Sequence, residues 1–281
     1  MTRRTFVNLS IASAAASPSL SADEKTSSGA GMISGCWDIL RKYSQDGKSE
    51  KRQFAAAALS LIAQHQRSAL KMAAALLTGD KEAEVRTFMA ASLGEDKVRP
   101  AIPSLRQALD DSSAPVVFAA AKALWDMDDH SGSIVFRQVL LGRRKEGTGL
   151  IDGALAEAKH KLHNPRGLAM MGIKEATGAF FGPGAMAISV AQEQLKDKGA
   201  QSRALSATAL AQDRSLAARQ ALEAGLQDSS PLVRAACCKS LAVLRERSAL
   251  PYIESLMEDK HEAVQCMAAA AIIRLRSLHQ L

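Results

Sequence analysis

The sequence predicts an all-α protein, a right-handed α-solenoid of stacked antiparallel helix pairs with a period of about 31 residues. Three observations lead to this fold class. The composition is rich in alanine and leucine, a nine-residue pattern recurs along the chain, and a second helical pattern follows most of its copies. Of the 281 residues, 47% are hydrophobic but only 4% are aromatic. An apolar content made mostly of helix-forming residues is typical of helical proteins.

The nine-residue pattern predicts the first helix of each pair. Its starts are separated by 34, 31, 86, 31 and 31 residues. Every copy ends in Leu or Ile, and the sixth and eighth positions hold Ala or Ser, with Cys in one copy. Small residues let helix axes approach closely, while the terminal Leu fills the gap between them. The copies are KRQFAAAAL (51–59), VRTFMAASL (85–93), VVFAAAKAL (116–124), SRALSATAL (202–210), VRAACCKSL (233–241) and VQCMAAAAI (264–272).

Turn residues precede the copies, and a second helix follows them. The stretch DDSSAP (110–115) and the equivalent residues 227–232 contain Asp, Ser and Pro, which favour helix starts. The segments AIPSLRQAL (101–109) and ALPYIESLM (249–257) have the pattern of a second helix. One such pair cannot bury both of its faces, so the pairs must stack into a row with a continuous core.

Two segments, 228–259 and 80–111, resemble HEAT repeats of the short, phycobilisome-lyase-like class. After an Asp-containing turn, the first continues as PLVRAACCKSLAVLRERSALPYIESLMED (231–259), with Pro-x-Val-Arg, a small-residue helix and Ala-x-Pro in order. The resemblance implies the solenoid fold and a role as an interaction scaffold, but no specific activity. We predict repeats over 32–142 and 196–281. Between them lies a divergent helical segment with a Gly-rich loop, 143–195, where two arcs of repeats would join.

Residues 1–31 are predicted to be an export signal or a disordered leader. Two arginines, an uncharged apolar run, small residues and then acidic residues follow the order of an export signal. The stretch TRRTFVN (2–8) resembles the twin-arginine export motif and departs from it at its last two positions. This resemblance implies a bacterial protein that is exported to the periplasm. If the N-terminus is not a signal, Met32 is an alternative start and we expect a cytoplasmic protein.

Cations on or near the predicted second helices of the middle units form the candidate partner-binding set. The chain has 36 Lys and Arg against 29 Asp and Glu, a formal net charge of +7. If second helices line the concave face, these cations form a groove for an acidic protein or, as an alternative, for nucleic acid. Two Trp and two Tyr offer few platforms for stacking bases, which argues against nucleic acid. The set comprises Arg99, Arg106, Arg137, Arg143, Arg144 and Lys145.

The second position of the nine-residue pattern is predicted to be structural. It holds Arg in four of the six copies, and an Asp stands in each adjoining turn. A guanidinium can bind a carboxylate with two parallel hydrogen bonds, so each Arg is expected to tie neighbouring units together. The predicted inter-repeat residues are Arg52, Arg86, Arg203 and Arg234 with Asp80, Asp111, Asp228 and Asp259.

No catalytic, cofactor-binding or metal-binding residues are predicted. The HEAT-like class includes deoxyhypusine hydroxylases, in which the resemblance implies several His–Glu pairs that hold two irons. This chain offers one such pair, His261–Glu262, which cannot supply the ligands of two metal ions. The adjacent Cys237 and Cys238 occupy packing positions, where a thiol is a small apolar substitute for Ala. A disulfide between Cys238 and Cys266 is left open.

These features predict a non-catalytic, monomeric scaffold that binds another protein through its concave face and needs no cofactor. One alternative is an accessory or chaperone-like lyase subunit for a pigment or cofactor, as the class name implies. The other is a nucleic-acid-binding solenoid with a basic groove. No run of about 18 uninterrupted apolar residues occurs, so no membrane-spanning helix is expected.

Overall fold

The computed structural model describes residues 22–141 and 199–277, and all regular structure in these two ranges is helical. The predicted all-α solenoid is therefore confirmed. The predicted divergent segment 143–195 lies outside the described residues. The helices are α1 (Ala22–Ser44), α2 (Ser49–Ala63), α3 (Arg67–Gly79), α4 (Ala83–Glu95), α5 (Ile102–Gln107), α6 (Ala114–Asp126), α7 (Ser133–Leu140), α8 (Ala200–Leu210), α9 (Leu216–Gly225), α10 (Pro231–Leu244), α11 (Leu250–Ser255) and α12 (Glu262–Arg276).

The described helices form a row of six units, each with a first and a second helix. Every first helix contains one copy of the nine-residue pattern, and neighbouring first helices pack side by side. Along the row the units are α8–α9, α10–α11, α12–α1, α2–α3, α4–α5 and α6–α7.

The order of the units in this row is a circular permutation of their order in the chain. Helix α12 packs against α2, and α1 serves as the second helix of the unit that α12 begins. The two helices meet near the chain ends, because a Cβ added to Gly29 would lie 3.0 Å from a guanidinium nitrogen of Arg276. The C-terminal arc (α8–α12) and the N-terminal arc (α1–α7) thus join at α12, α1 and α2. The junction that was predicted in the segment 143–195 lies outside the described residues.

First helices lie on the inside of the curve. Residues 54–63 of α2 and 266–273 of α12 are buried without interruption, whereas the second helices keep an exposed face. Lys239 on α10 also reaches Asp96 at the end of α4, with 2.9 Å between Nζ and Oδ1, although two first helices separate α10 from α4 in the row. Only a tightly curved row brings them together. Second helices therefore lie outside, opposite to the expectation that they line the concave face.

Small residues explain how the first helices come so close. A Cβ added to Gly94 on α4 would lie 2.7 Å from the Cα of Ala123 on α6, well inside the van der Waals limit. A Cβ on Gly225 would overlap the Sγ atom of Cys237. The alanines of the pattern, together with glycines that lie outside it, thus allow the close approach of neighbouring helices.

Three first helices end in the same left-handed turn, formed by residues other than glycine. Lys97, Asp128 and Arg245 have φ values of 49°, 63° and 61°. In each turn, the backbone N–H of the next residue donates to the carbonyl of the Leu that closes the pattern, at 2.9 to 3.0 Å. This is the Schellman arrangement, in which glycine is the usual residue at the left-handed position.

Candidate interaction surfaces

Four Arg–Asp pairs connect neighbouring units, and they bring together the eight residues of the predicted inter-repeat set. In each pair, Nε and Nη2 of the Arg donate to the two carboxylate oxygens of the Asp. The pairs and their distances are Arg52–Asp80 (2.6 and 2.9 Å), Arg86–Asp111 (2.7 and 2.9 Å), Arg203–Asp228 (2.8 and 2.8 Å) and Arg234–Asp259 (2.8 and 2.8 Å).

The third nitrogen of the guanidinium links the Arg to the turn before its own helix. Arg234 Nη1 donates to the carbonyls of Asp228 and Ser229 at 2.8 and 3.0 Å. Asp259 Oδ1 additionally accepts the backbone N–H of His261 at 2.9 Å. Burial opposes ionisation of Asp259, but the bonds from Arg234 and His261 outweigh it and lower the pKa of the carboxyl. The pair therefore joins two successive turns through a buried charge.

The junction between the two arcs lacks this pair, because α12 carries Gln265 where four of the other five first helices carry Arg. Gln265 Nε2 donates to the carbonyl of Asp259 at 2.5 Å, and its Oε1 accepts the hydroxyl of Tyr43 at 2.7 Å. Beside them, Lys51 and Glu262 form an ion pair at 2.8 Å, and this contact lowers the pKa of Glu262. A neutral bond thus replaces the charged pair at the place where the arcs meet.

The predicted partner-binding cations do not form one basic groove in the described residues. Arg106 pairs with Asp129 at 2.6 Å, and Arg99 lies 3.7 Å from Asp128. Hydrogen bonds from Ser131, and then the bond from Arg106, lower the pKa of Asp129 to about 2, so its negative charge is retained. Arg137 lies on α7. The remaining members of the set, Arg143, Arg144 and Lys145, lie outside the described residues.

Large apolar side chains are exposed on the unit at the end of the N-terminal arc. We call this surface the apolar end face. Phe136 lies between two of its rings, in edge-to-face contact with Phe118 at 5.6 Å and with Trp125 at 5.8 Å between centroids. The ring of His130 lies 4.5 Å from that of Trp125. The exposed members of the face are Phe118, Trp125, Ile134, Leu140 and Leu141.

At the position after the closing Leu, Trp125 distinguishes α6 from α4. Trp125 follows the closing Leu of its pattern, as Gly94 does in α4. Gly94 packs against the backbone of Ala123 in the next unit with no space for even a Cβ. A further unit therefore could not approach α6 at this position as closely as α6 approaches α4. The repeat pattern did not reveal this surface, because its copy in α6 ends at Leu124, one residue before Trp125.

All four cysteines are free thiols in buried positions: Cys36, Cys237, Cys238 and Cys266. Burial raises the pKa of each, to about 12 for Cys36 and Cys237. His261 is the N-cap of α12, and Glu262 pairs with Lys51. Within the described residues, no group of three or more His, Cys, Asp or Glu side chains could hold a metal ion. None of the helices in those residues is long and apolar enough to cross a bilayer.

Comparison with known proteins identifies HEAT repeats in part of the chain. Residues 188–274, which include α8 to α11 and most of α12, match the family model of HEAT repeats. No curated protein matches the sequence. Among solved structures, human deoxyhypusine hydroxylase in complex with glycerol is similar at 18% identity and a TM-score of 0.30, covering 92% of each chain. An engineered protein is similar at 17% identity and a TM-score of 0.27, covering 86% of this chain and 96% of its own.

Proposed function

We propose that this HEAT-repeat chain is a non-catalytic scaffold that binds another protein, and that the apolar end face is its docking site. The observation that carries the proposal is the exposure of five large apolar side chains on a single unit, with Trp125 exposed by 49%. Soluble proteins rarely expose contiguous apolar patches of this kind unless the patch contacts a partner.

The chemistry of the face suits a protein partner that inserts apolar side chains. Trp and Phe are rigid, bury large areas and are enriched among the residues that dominate binding energy. Two charges on the same helix, Lys122 and Asp126, pair with each other at 2.6 Å and so add no net charge beside the face. We therefore expect an apolar segment as the ligand, and not the acidic groove ligand that the basic set suggested. The predicted cations do not form one groove in the described residues, so the proposal rests on the end face.

The first part of the test identifies the partner by contact. A photo-reactive phenylalanine analogue is placed at Phe118 in the full chain, and a matched chain carries it at Tyr252. Tyr252 is exposed by 54% on α11, which belongs to a different unit. We expect a defined protein to be cross-linked from Phe118 and not from Tyr252. Equal recovery of the same proteins from both sites would contradict the proposal.

The second part measures the affinity of that purified protein. Trp125→Ser is expected to weaken binding by about 30-fold or more, since truncation of an interface Trp costs about 2 kcal/mol or more. Tyr252→Ser is the control and should leave affinity unchanged. An unchanged affinity in Trp125→Ser, with the fold intact by circular dichroism, would remove the end face from the docking site.

We further propose that the protein is exported to the periplasm by the twin-arginine-like N-terminus. The order of charged, apolar, small and acidic residues in 1–31 supports this proposal. N-terminal sequencing of the native protein tests it. A start near residue 23 is expected, whereas a start at Met1 or Met32 would show that no signal is removed.

A further inference from the structure

An ion cluster on the inside of the curve links the two arcs across units that are not neighbours. Lys239 on α10 belongs to the C-terminal arc, and its Nζ lies 2.9 Å from Asp96 and 3.6 Å from Glu95 in the N-terminal arc. Ser60 on α2 donates to the other oxygen of Asp96 at 2.6 Å. The Lys239 side chain is exposed by only 25%. Burial alone would lower its pKa, but the attraction of the two carboxylates prevails and raises it.

The junction that this cluster spans is smoother than the others. Residues 55–58 of α2 and 268–271 of α12 are runs of four alanines, all buried. Alanine side chains make shallow ridges, and shallow ridges allow packed helices to slide by small amounts. Within the α12–α1 unit at this junction, the neutral Gln265–Tyr43 bond stands in place of a buried Arg–Asp pair. The Lys51–Glu262 ion pair is partly exposed and contributes little to holding the arcs.

We propose that the α12–α2 junction is a hinge between the two arcs and that Lys239 is the latch that holds its angle. Opening the hinge requires Lys239 to leave Asp96 and Glu95, because these groups connect units that are separated by two others across the inside of the curve. Arg274 does not replace the latch. It donates to the carbonyls of Leu61 on α2 at 2.6 Å and Ala242 on α10 at 3.2 Å. The bond to Leu61, like that from Gln66 to Ser277 at 2.9 Å, lies at the pivot between α12 and α2 and does not connect α10 to α4. The inference is independent of the proposed binding function.

The experiment measures the geometry of the arcs in the full chain. Spin labels are attached to cysteines introduced at Gln107 on α5 and Gln220 on α9, which are exposed and lie in different arcs. The four native thiols are buried, so they remain unlabelled. Distances between the labels are measured by pulsed electron resonance, and the radius of gyration is measured by small-angle scattering.

Lys239→Met is expected to broaden and shift the label distance and to increase the radius of gyration. Lys239→Arg retains the charge and should match the parent protein. Lys122→Met is the matched control, since it removes an ion pair within one helix, Lys122–Asp126. It should leave both measurements unchanged.

A Lys239→Met protein with the parent's distance distribution and radius would overturn the latch. If Lys239→Met fails to fold, the double variant Glu95→Gln, Asp96→Asn carries the same test. It removes the two carboxylates while preserving side-chain size and an acceptor for Ser60. An unchanged distance in this folded double variant would equally overturn the proposal.

Discussion

Replacing Arg234 by Ala is expected to lower the free energy of unfolding by about 3–4 kcal/mol, since it breaks a buried ion pair. Arg234 and Asp259 have side-chain exposures of 7% each, and the guanidinium makes four hydrogen bonds between 2.8 and 3.0 Å. Removal of the guanidinium leaves the Asp259 carboxylate in a buried site with one bond from the backbone of His261. An unpaired buried charge is the main part of the expected loss.

The matched control is Arg203→Ala, which breaks the same pair in a more exposed unit. The Arg203 side chain is exposed by 40%, so solvent screens its interaction with Asp228 and we expect a loss of about 1 kcal/mol or less. Urea unfolding followed by circular dichroism measures both variants. With a slope of about 2 kcal/mol per molar urea, the Arg234 variant should unfold about 1.5–2 M earlier than the parent.

The pH dependence separates lost charge pairing from lost packing. In the parent, the pKa of Asp259 lies below its ordinary value, so the pair contributes stability above about pH 4 and loses it as the pH falls. In Arg234→Ala, the buried carboxylate has no cation and its pKa rises. The difference in unfolding free energy between the variant and the parent should therefore become smaller at acidic pH. Asp259→Asn added to Arg234→Ala should restore part of the loss at pH 7. Equal losses in the Arg234 and Arg203 variants at every pH would refute the reasoning.

Three further substitutions or reactions test the close helix packing at Gly94, the left-handed turn at Lys97 and the burial of Cys237. Gly94→Ala is expected to lower the free energy of unfolding in urea by about 2–3 kcal/mol, because the new Cβ would meet the backbone of Ala123. The control is Gly79→Ala, where the new Cβ has open space, and its stability should be unchanged or higher. Lys97→Gly should raise stability by about 0.5–1 kcal/mol, since it relieves a left-handed backbone; a loss of stability would contradict this. Cys237 should react with a thiol reagent only on unfolding, because burial raises its pKa to about 12; rapid reaction at pH 8 in the folded protein would show that the site opens.

The repeat pattern was sufficient to predict the helix pairs and the partners of the inter-repeat Arg residues. A closing Leu, small residues two positions apart and an Asp-containing turn define each unit within a window of about 31 residues. Because Arg and Asp hold fixed places in that window, stacking any two consecutive units brings Arg86 close to Asp111 and Arg234 close to Asp259. Such contacts are local in the repeat, so they can be predicted without knowledge of the tertiary structure.

The sequence predicted the apolar end face and the charge clusters poorly, since these depend on which groups meet across the row. Arg106 was predicted to be available to a partner, but it pairs with Asp129 of the following unit. Trp125 lies one residue beyond the aligned pattern, and a comparison at that column with Gly94 would have shown that α6 differs from α4. The residue after the closing Leu therefore distinguishes α6 from α4, whereas composition and net charge do not reveal the end face.

By itself, the sequence determined that the chain forms helix pairs, where the pattern of each first helix lies, and which Arg and Asp residues connect units that are consecutive in the chain. Only the tertiary structure decided the order of the units and the side on which they curve. The physical reason is that the stacking faces are nearly identical alanine surfaces, so α12 fits against α2 as well as against α10. A pattern that makes all units compatible with one another does not specify which unit is the neighbour. That choice depends on contacts between the arcs, such as Lys239–Asp96 and Gln265–Tyr43, which join residues more than 140 positions apart.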